Sequence, residues 1–142
     1  PRAIRDVYKR QDIDYRVLKV AMENAKKAGV DKYIQFQKRD FMEFSTSRKY
    51  GFIISNPPYG ERIGEKEILP TLYKHMGNAK KKLEDWDFNI LTSFEPFEKT
   101  FGLKSTKNRK LYNGKIKCYY YQYFHNDKIK NAGDILINEL IK

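Results

Sequence analysis

Three shortages narrow what this 142-residue chain can be: it has one cysteine, two histidines and fewer acids than bases. A lone Cys118 forms no internal disulfide, which suits a reducing compartment and points to the cytoplasm. His75, His125 and Cys118 lack the spacing of metal ligands, so no metal is expected. No apolar run approaches the ~18 residues of a membrane span, and no signal-peptide pattern opens the sequence, so a membrane partner is not expected either. Glycine also arrives late, since none precedes Gly29. Against 18 Asp and Glu stand 29 Lys and Arg, a net charge of +11 and a pI near 9.6. Such a balance fits a protein that works on a polyanion, although composition alone serves an ordinary solvated surface equally well. The length suits one domain able to bury roughly two thirds of its unfolded surface.

Within these bounds, strand and helix signals alternate. Residues 15–28 carry Val17, Leu18, Ala21, Ala25 and Ala28 on one helical face, with Asp14 as a suitable N-cap and Gly29 as a terminator. Residues 33–37 alternate as a strand does, and residues 50–55 form the continuous apolar run of a central strand. Ile68, Leu69, Leu72, Met76, Ala79 and Leu83 predict a second helix that ends in a basic turn. Residues 88–92 read as a strand, followed by a turn containing Pro96. Two strand-like runs then flank Asn113-Gly114, a strong hairpin signal. The tyrosines 119–121 and 123, with Phe124, could stack bases, but in a terminal strand they read first as core. Residues 126–142 read as a polar, then helical tail. Residues 1–11 are charged without period and do not resemble the strand expected ahead of Asp12; they are treated as a leader foreign to the fold.

The most informative feature is Asn56-Pro57-Pro58-Tyr59, a rigid polar loop directly after the central strand. In an open α/β sheet, ligands collect outside the carboxyl ends of the strands. Each proline fixes its own φ and pushes the residue before it into an extended conformation. The Asn56 side-chain oxygen and the Pro57 carbonyl can then receive two hydrogen bonds from one planar exocyclic amine, while Tyr59 offers a ring face for stacking. An aromatic amine is a poor nucleophile, and accepting its hydrogens favours a more tetrahedral nitrogen. Such a pocket fits a nucleobase. The competing reading is a proline-rich turn with no ligand.

Alternating strands and helices closed by an antiparallel hairpin follow the order of a Rossmann-like class I methyltransferase, an α/β fold with a mostly parallel sheet. Asp12-Ile13-Asp14, Asp40-Phe41, Asn56-Pro57-Pro58-Tyr59-Gly60-Glu61-Arg62 and Arg109-Lys110-Leu111-Tyr112-Asn113-Gly114 resemble the THUMP-associated RNA guanine-N2 methyltransferases. The resemblance implies methyl transfer from S-adenosylmethionine to the N2 amine of guanine in RNA, with 23S ribosomal RNA the usual substrate. It implies that Asp12 accepts from the cofactor's ribose hydroxyls, a role for which Asp14 competes but is better placed as helix cap. It implies that Asp40 and Phe41 hold the adenine, although Asp40 could equally be an ordinary turn aspartate. Asn56, Pro57 and Tyr59 become the catalytic set, and Pro58, Arg62 and Arg109 substrate contacts. Arg109 lies in a basic strip, residues 104–110, that suits phosphates and suits a solvated face as well.

The resemblance also calls for a first strand and a glycine-rich loop ahead of Asp12, which the glycine distribution does not supply. Residues 12–125 are therefore expected to be part of a methyltransferase domain. The alternatives are an inactive nucleic-acid-binding fragment, a tRNA guanine-N2 enzyme and a DNA adenine-N6 enzyme, since Asn-Pro-Pro-Tyr occurs in the last of these too.

Overall fold

Every strand of the sheet delivers its carboxyl end, or its hairpin, toward the loop singled out above. The computed structural model describes residues 8–125 and 139–141. In chain order the elements are β1 (Tyr8–Asp12), α1 (Tyr15–Lys27), β2 (Ile34–Lys38), β3 (Gly51–Ser55), α2 (Glu65–Lys82), β4 (Asp87–Thr92), α3 (Phe97–Phe101), β5 (Lys107–Asn113), β6 (Ile116–Tyr123) and β7 (Glu139–Ile141). They form one sheet of order β2-β1-β7-β3-β4-β6-β5. Strands β2, β1, β7, β3 and β4 run parallel, β6 runs antiparallel to β4, and β5 antiparallel to β6. This is the mostly parallel α/β sheet with a terminal antiparallel hairpin that the element order predicts.

Helix α1 begins where its cap dictates: the Asp14 carboxylate accepts from the Arg16 backbone N–H at 2.8 Å. Gly29, at φ 71°, lets the chain turn away after it. Its buried face is narrower than the sequence suggests. Leu18 and Ala25 are buried, whereas Val17 and Ala28 are exposed. Helix α2 buries Leu69, Tyr73, Met76, Gly77 and Lys80 along one side. Gly77 is needed there, because a Cβ at this position would lie 1.7 Å from the Phe101 carbonyl oxygen. The missing side chain is what lets α2 and α3 touch.

The core between α2, α3 and the sheet is aromatic. Trp86, Phe88, Phe97 and Tyr73 are wholly buried, and Phe101 and Tyr123 nearly so. Phe97 stacks on Tyr121 with centroids 4.7 Å apart, and Phe101 stacks on Tyr123 at 4.4 Å. The reading of Tyr121 and Tyr123 as core therefore holds.

Four expectations change. Residues 8–12, read as leader and acid, are a strand: β1 pairs with β2 along its whole length despite half-exposed, charged side chains, so backbone pairing overrides composition there. Residues 97–101, directly after the turn read at Pro96 and given no helix, are a helix too short to show a period, held by its two buried phenylalanines. The tail read as helical falls mostly on residues 126–138, outside the described residues, but residues 139–141 are the strand β7 between β1 and β3. The hairpin turn is Gly114-Lys115 rather than Asn113-Gly114. Asn113 is the last paired residue of β5, opposite Ile116, and of the two turn residues only Gly114 has positive φ, as in a type II′ turn.

The contact at Gly77 predicts that Gly77→Ala will destabilise the domain by about 3 kcal/mol or more, because the clash is with backbone. Gly64→Ala, where a Cβ meets nothing within 4 Å, should cost only the strain of its positive φ, about 1 kcal/mol. Urea midpoints of the two variants measure the difference.

Candidate active site

Strand β1 leads outward to β2 and β3 leads the other way to β4, so the carboxyl ends of β1 and β3 flank the point where the sheet's order reverses. A cleft of about 740 Å³ opens there. Asp12, Asp40, Phe41, Asn56, Pro57 and Pro58 all line it, which brings together six of the nine site residues expected from the sequence. Phe44, Ile53, Leu72 and Met76 add an apolar wall.

On one side, Asp12 is oriented by its own turn. Its Oδ1 accepts the Asp14 backbone N–H at 2.9 Å, and the Arg10 guanidinium stands 3.6 Å from Oδ2. Asp14 is occupied elsewhere, as the cap of α1 and the partner of Arg16, whose hydrogen bonds hold its carboxyl below the usual range. It is also absent from the cleft, so geometry favours Asp12 over Asp14. Asp40 caps the short turn Phe41–Glu43 by accepting the Met42 N–H at 2.9 Å. The Phe41 and Phe44 rings stack at 5.4 Å beside it.

On the other side stands the proline loop. The Pro58 carbonyl accepts the Tyr73 hydroxyl at 2.5 Å. The Tyr59 hydroxyl donates to the Asn56 Oδ1, and Asn113 at the hairpin end donates to the Tyr59 oxygen at 3.4 Å. One lone pair of the Asn56 oxygen is therefore engaged and the second remains available. Among the described residues no donor meets the Pro57 carbonyl. Burial pushes the Tyr59 phenol up, with the hydrogen bond donated by Asn113 working against it. Two further contacts shape the loop beyond Tyr59: Glu65 accepts the Gly60 N–H at 3.3 Å and the Arg62 N–H at 3.4 Å.

Three expected residues lie outside the cleft. Tyr59 is adjacent and acts on it through Asn56. Arg62 is exposed on the loop, 4.0 Å from Glu65, and Arg109 is exposed on β5. Strand β5 is exposed along all seven residues, and beyond Tyr119 the hairpin continues past the end of β4. Among the described residues no group of three potential metal ligands occurs, and no helix is long and apolar enough to cross a membrane. The sequence reading missed Tyr73, although its place one turn before Gly77 on the buried side of α2 was available as a signal. It also missed the part played by the Asn113 side chain, which had been read only as turn chemistry.

The donors and acceptors fit a nucleoside-bearing cofactor at one end of the cleft, with two acids and an aromatic pair. No glycine is among the described residues that line the cleft.

A family model described as UPF0020, RMKL-like methyltransferase domain, matches residues 6–122. YpsC of Bacillus subtilis (strain 168), whose name assigns it provisionally as an RNA methyltransferase, is 49% identical over 113 residues, covering 80% of this chain and 29% of that protein. Ribosomal RNA large subunit methyltransferase K/L of Cellvibrio japonicus (strain Ueda107) is 36% identical over 110 residues, 74% of this chain and 15% of its own length. The chain thus spans less than a third of these relatives. Among solved structures, SMU.472, named provisionally as a methyltransferase and complexed with SAH, superposes with a TM-score of 0.79 at 36% identity, over 87% of this chain and 32% of that one. A protein of Listeria monocytogenes str. 4b F2365, named as a predicted N6-adenine-specific DNA methylase, gives a TM-score of 0.74 at 39% identity, over 82% and 30%.

Tyr73 also yields a pH prediction. Burial, with smaller contributions from Tyr59 and Glu65, pushes its phenol up to about 12 from an ordinary 10.0. Folding therefore favours the neutral phenol. That stabilisation is whole below pH 10 and is lost as pH rises toward 12, an effect of roughly 2–3 kcal/mol. Urea midpoints between pH 9 and about 12 should fall more steeply for the wild-type chain than for Tyr73→Phe.

Proposed function

Because this chain belongs to the RMKL-like methyltransferase domain family, we propose that the protein encoded by its complete open reading frame methylates guanine N2 in RNA, with S-adenosylmethionine as donor and 23S ribosomal RNA as the foremost substrate. The observation that supports this reading is that Asn56 and Pro57 line one cleft with Asp12 and Asp40. An amide oxygen and a carbonyl on adjacent residues suit the two hydrogens of an exocyclic amine.

Residues 12–125 carry the parts of this site. Asp12 suits the ribose diol and Asp40 the adenine amine, with Phe41 alongside. SAH, the demethylated form of S-adenosylmethionine, is bound in the SMU.472 structure and supports the choice of donor. The cofactor supplies a methyl group already activated on a sulfonium, so the protein's work is placement. Asn56 and Pro57 would accept from the guanine amine and localise its lone pair, so that an N–C bond to the methyl forms as the sulfonium C–S bond breaks and the surplus amine proton then leaves to water. The Tyr59 ring, partly exposed beside them, stacks on a base turned out of its helix, a contact of about 1–3 kcal/mol. Pro58 stiffens the floor, and Arg62 and Arg109 meet phosphates on either side. The names of the ribosomal RNA relatives support RNA over DNA, and with RNA goes a cytoplasmic location. Adenine-N6 methylation is the second reading, favoured by the Listeria structure's name and by the shared Asn-Pro-Pro-Tyr sequence.

The test is methyl transfer from radiolabelled S-adenosylmethionine to ribosomal RNA, tRNA and DNA, followed by digestion and identification of the nucleoside. N2-methylguanosine supports the proposal. Labelled N6-methyladenine moves the assignment to the second reading, and no label on any substrate leaves only nucleic-acid binding. Asn56→Ala should lower turnover by about 10²-fold or more while RNA affinity stays within about twofold. Arg109→Ala should instead weaken RNA binding and reduce the slope of log K against log salt by about 1.

A further inference from the structure

We propose that Tyr73 is a positioning residue for this reaction, acting through the Pro58 carbonyl to hold the Asn56 and Pro57 acceptors in place; the proposal rests on the methyltransferase reading above. The hydrogen bonds around it can be assigned proton by proton. A phenol has one hydrogen, and at 2.5 Å it goes to the Pro58 carbonyl, which can only accept. The Thr92 Oγ1, 2.9 Å from the Tyr73 oxygen, must then be the donor in that contact. The Thr92 oxygen in turn accepts the Phe94 backbone N–H at 3.1 Å. The result is a directed series from the end of β4, through a side chain of α2, into the loop after β3.

Both hydroxyls are wholly buried. Removing either leaves the other's buried oxygen short of a hydrogen bond. The tyrosine ring is fixed independently of its hydroxyl, by Phe94 at 5.2 Å and Phe97 at 5.0 Å. Packing therefore needs a six-membered aromatic ring at position 73, and phenylalanine would supply it. The hydroxyl has a separate task.

That task follows from the backbone it meets. Pro58 has its φ set by its own ring, and Pro57 is confined to extended conformations by the proline after it. The soft torsion left between the Pro57 carbonyl and the Tyr59 backbone is ψ of Pro58. A hydrogen bond to the Pro58 carbonyl fixes that torsion. With it fixed, the Pro57 carbonyl points to a set direction and Tyr59 stays within reach of Asn56. The high pKa of the phenol keeps the donor protonated at any physiological pH.

The experiment uses the complete open reading frame and compares wild type with Tyr73→Phe, Thr92→Val and Thr92→Ser. In Tyr73→Phe, kcat should fall by about tenfold to a hundredfold with KM for RNA within twofold, and the ¹³C resonance of the Pro58 carbonyl should move. Thr92→Val should lower kcat in the same direction, and Thr92→Ser, which keeps the hydroxyl, should restore it. Unchanged kcat in Tyr73→Phe overturns the proposal. So does a fall in kcat with the Pro58 resonance unmoved, since that marks a role in folding alone. If the wild-type protein labels no RNA, the methyltransferase reading has failed and the proposal falls with it; labelling by wild type and Tyr73→Phe at equal rates sinks the proposal and leaves that reading standing.

Discussion

Between Asn56 and Tyr59 the backbone has no N–H group, because both intervening residues are proline. A stretch of chain that can only accept hydrogen bonds must be held by donors and can recruit only donors. This constraint organises the surroundings of the loop. The donors that hold it are hydroxyls, from Tyr73 beneath and Tyr59 at its end, and Asn113 from the hairpin supports the second of them. What remains available, on Asn56 and Pro57, is complementary to an amine. A loop of ordinary residues in the same place would present N–H groups as well, and would discriminate less sharply between an amine and a carbonyl on a base edge.

The sheet contributes the second half of the arrangement by bringing distant acids to the same cleft. Asp12 and Asp40 follow neighbouring parallel strands, and the Arg39 backbone N–H bonds to the Asp12 carbonyl at 2.9 Å, which fixes the two turns against each other. Parallel strands place their carboxyl ends on one side, so residues 12, 40 and 56 meet without being close in sequence.

Much of this was readable from the residues. Asp14 as cap, the apolar run of β3, the hairpin and the place of Asn56-Pro57-Pro58-Tyr59 at a strand's end each depend on local preferences that one sequence displays. What escaped reading depended on partners. Strand β1 forms from charged residues because β2 and β7 pair with its backbone, and α3 forms because Phe97 and Phe101 reach tyrosines of β6. Tyr73 counts as core by its ring and as a loop contact by its oxygen, and only the fold separates the two. Asn113 was assigned to a turn that begins one residue later, which left its side chain without a stated purpose.

Among the described residues, strand β5 closes the sheet on one side, with β6 as its one strand neighbour and each of its residues exposed. An open edge of this kind invites another strand to add to it, and lysines are the usual deterrent. Lys107, Arg109 and Lys110 stand on that edge. Their charge thus makes pairing of a second strand, including one from another copy, electrostatically costly along this edge.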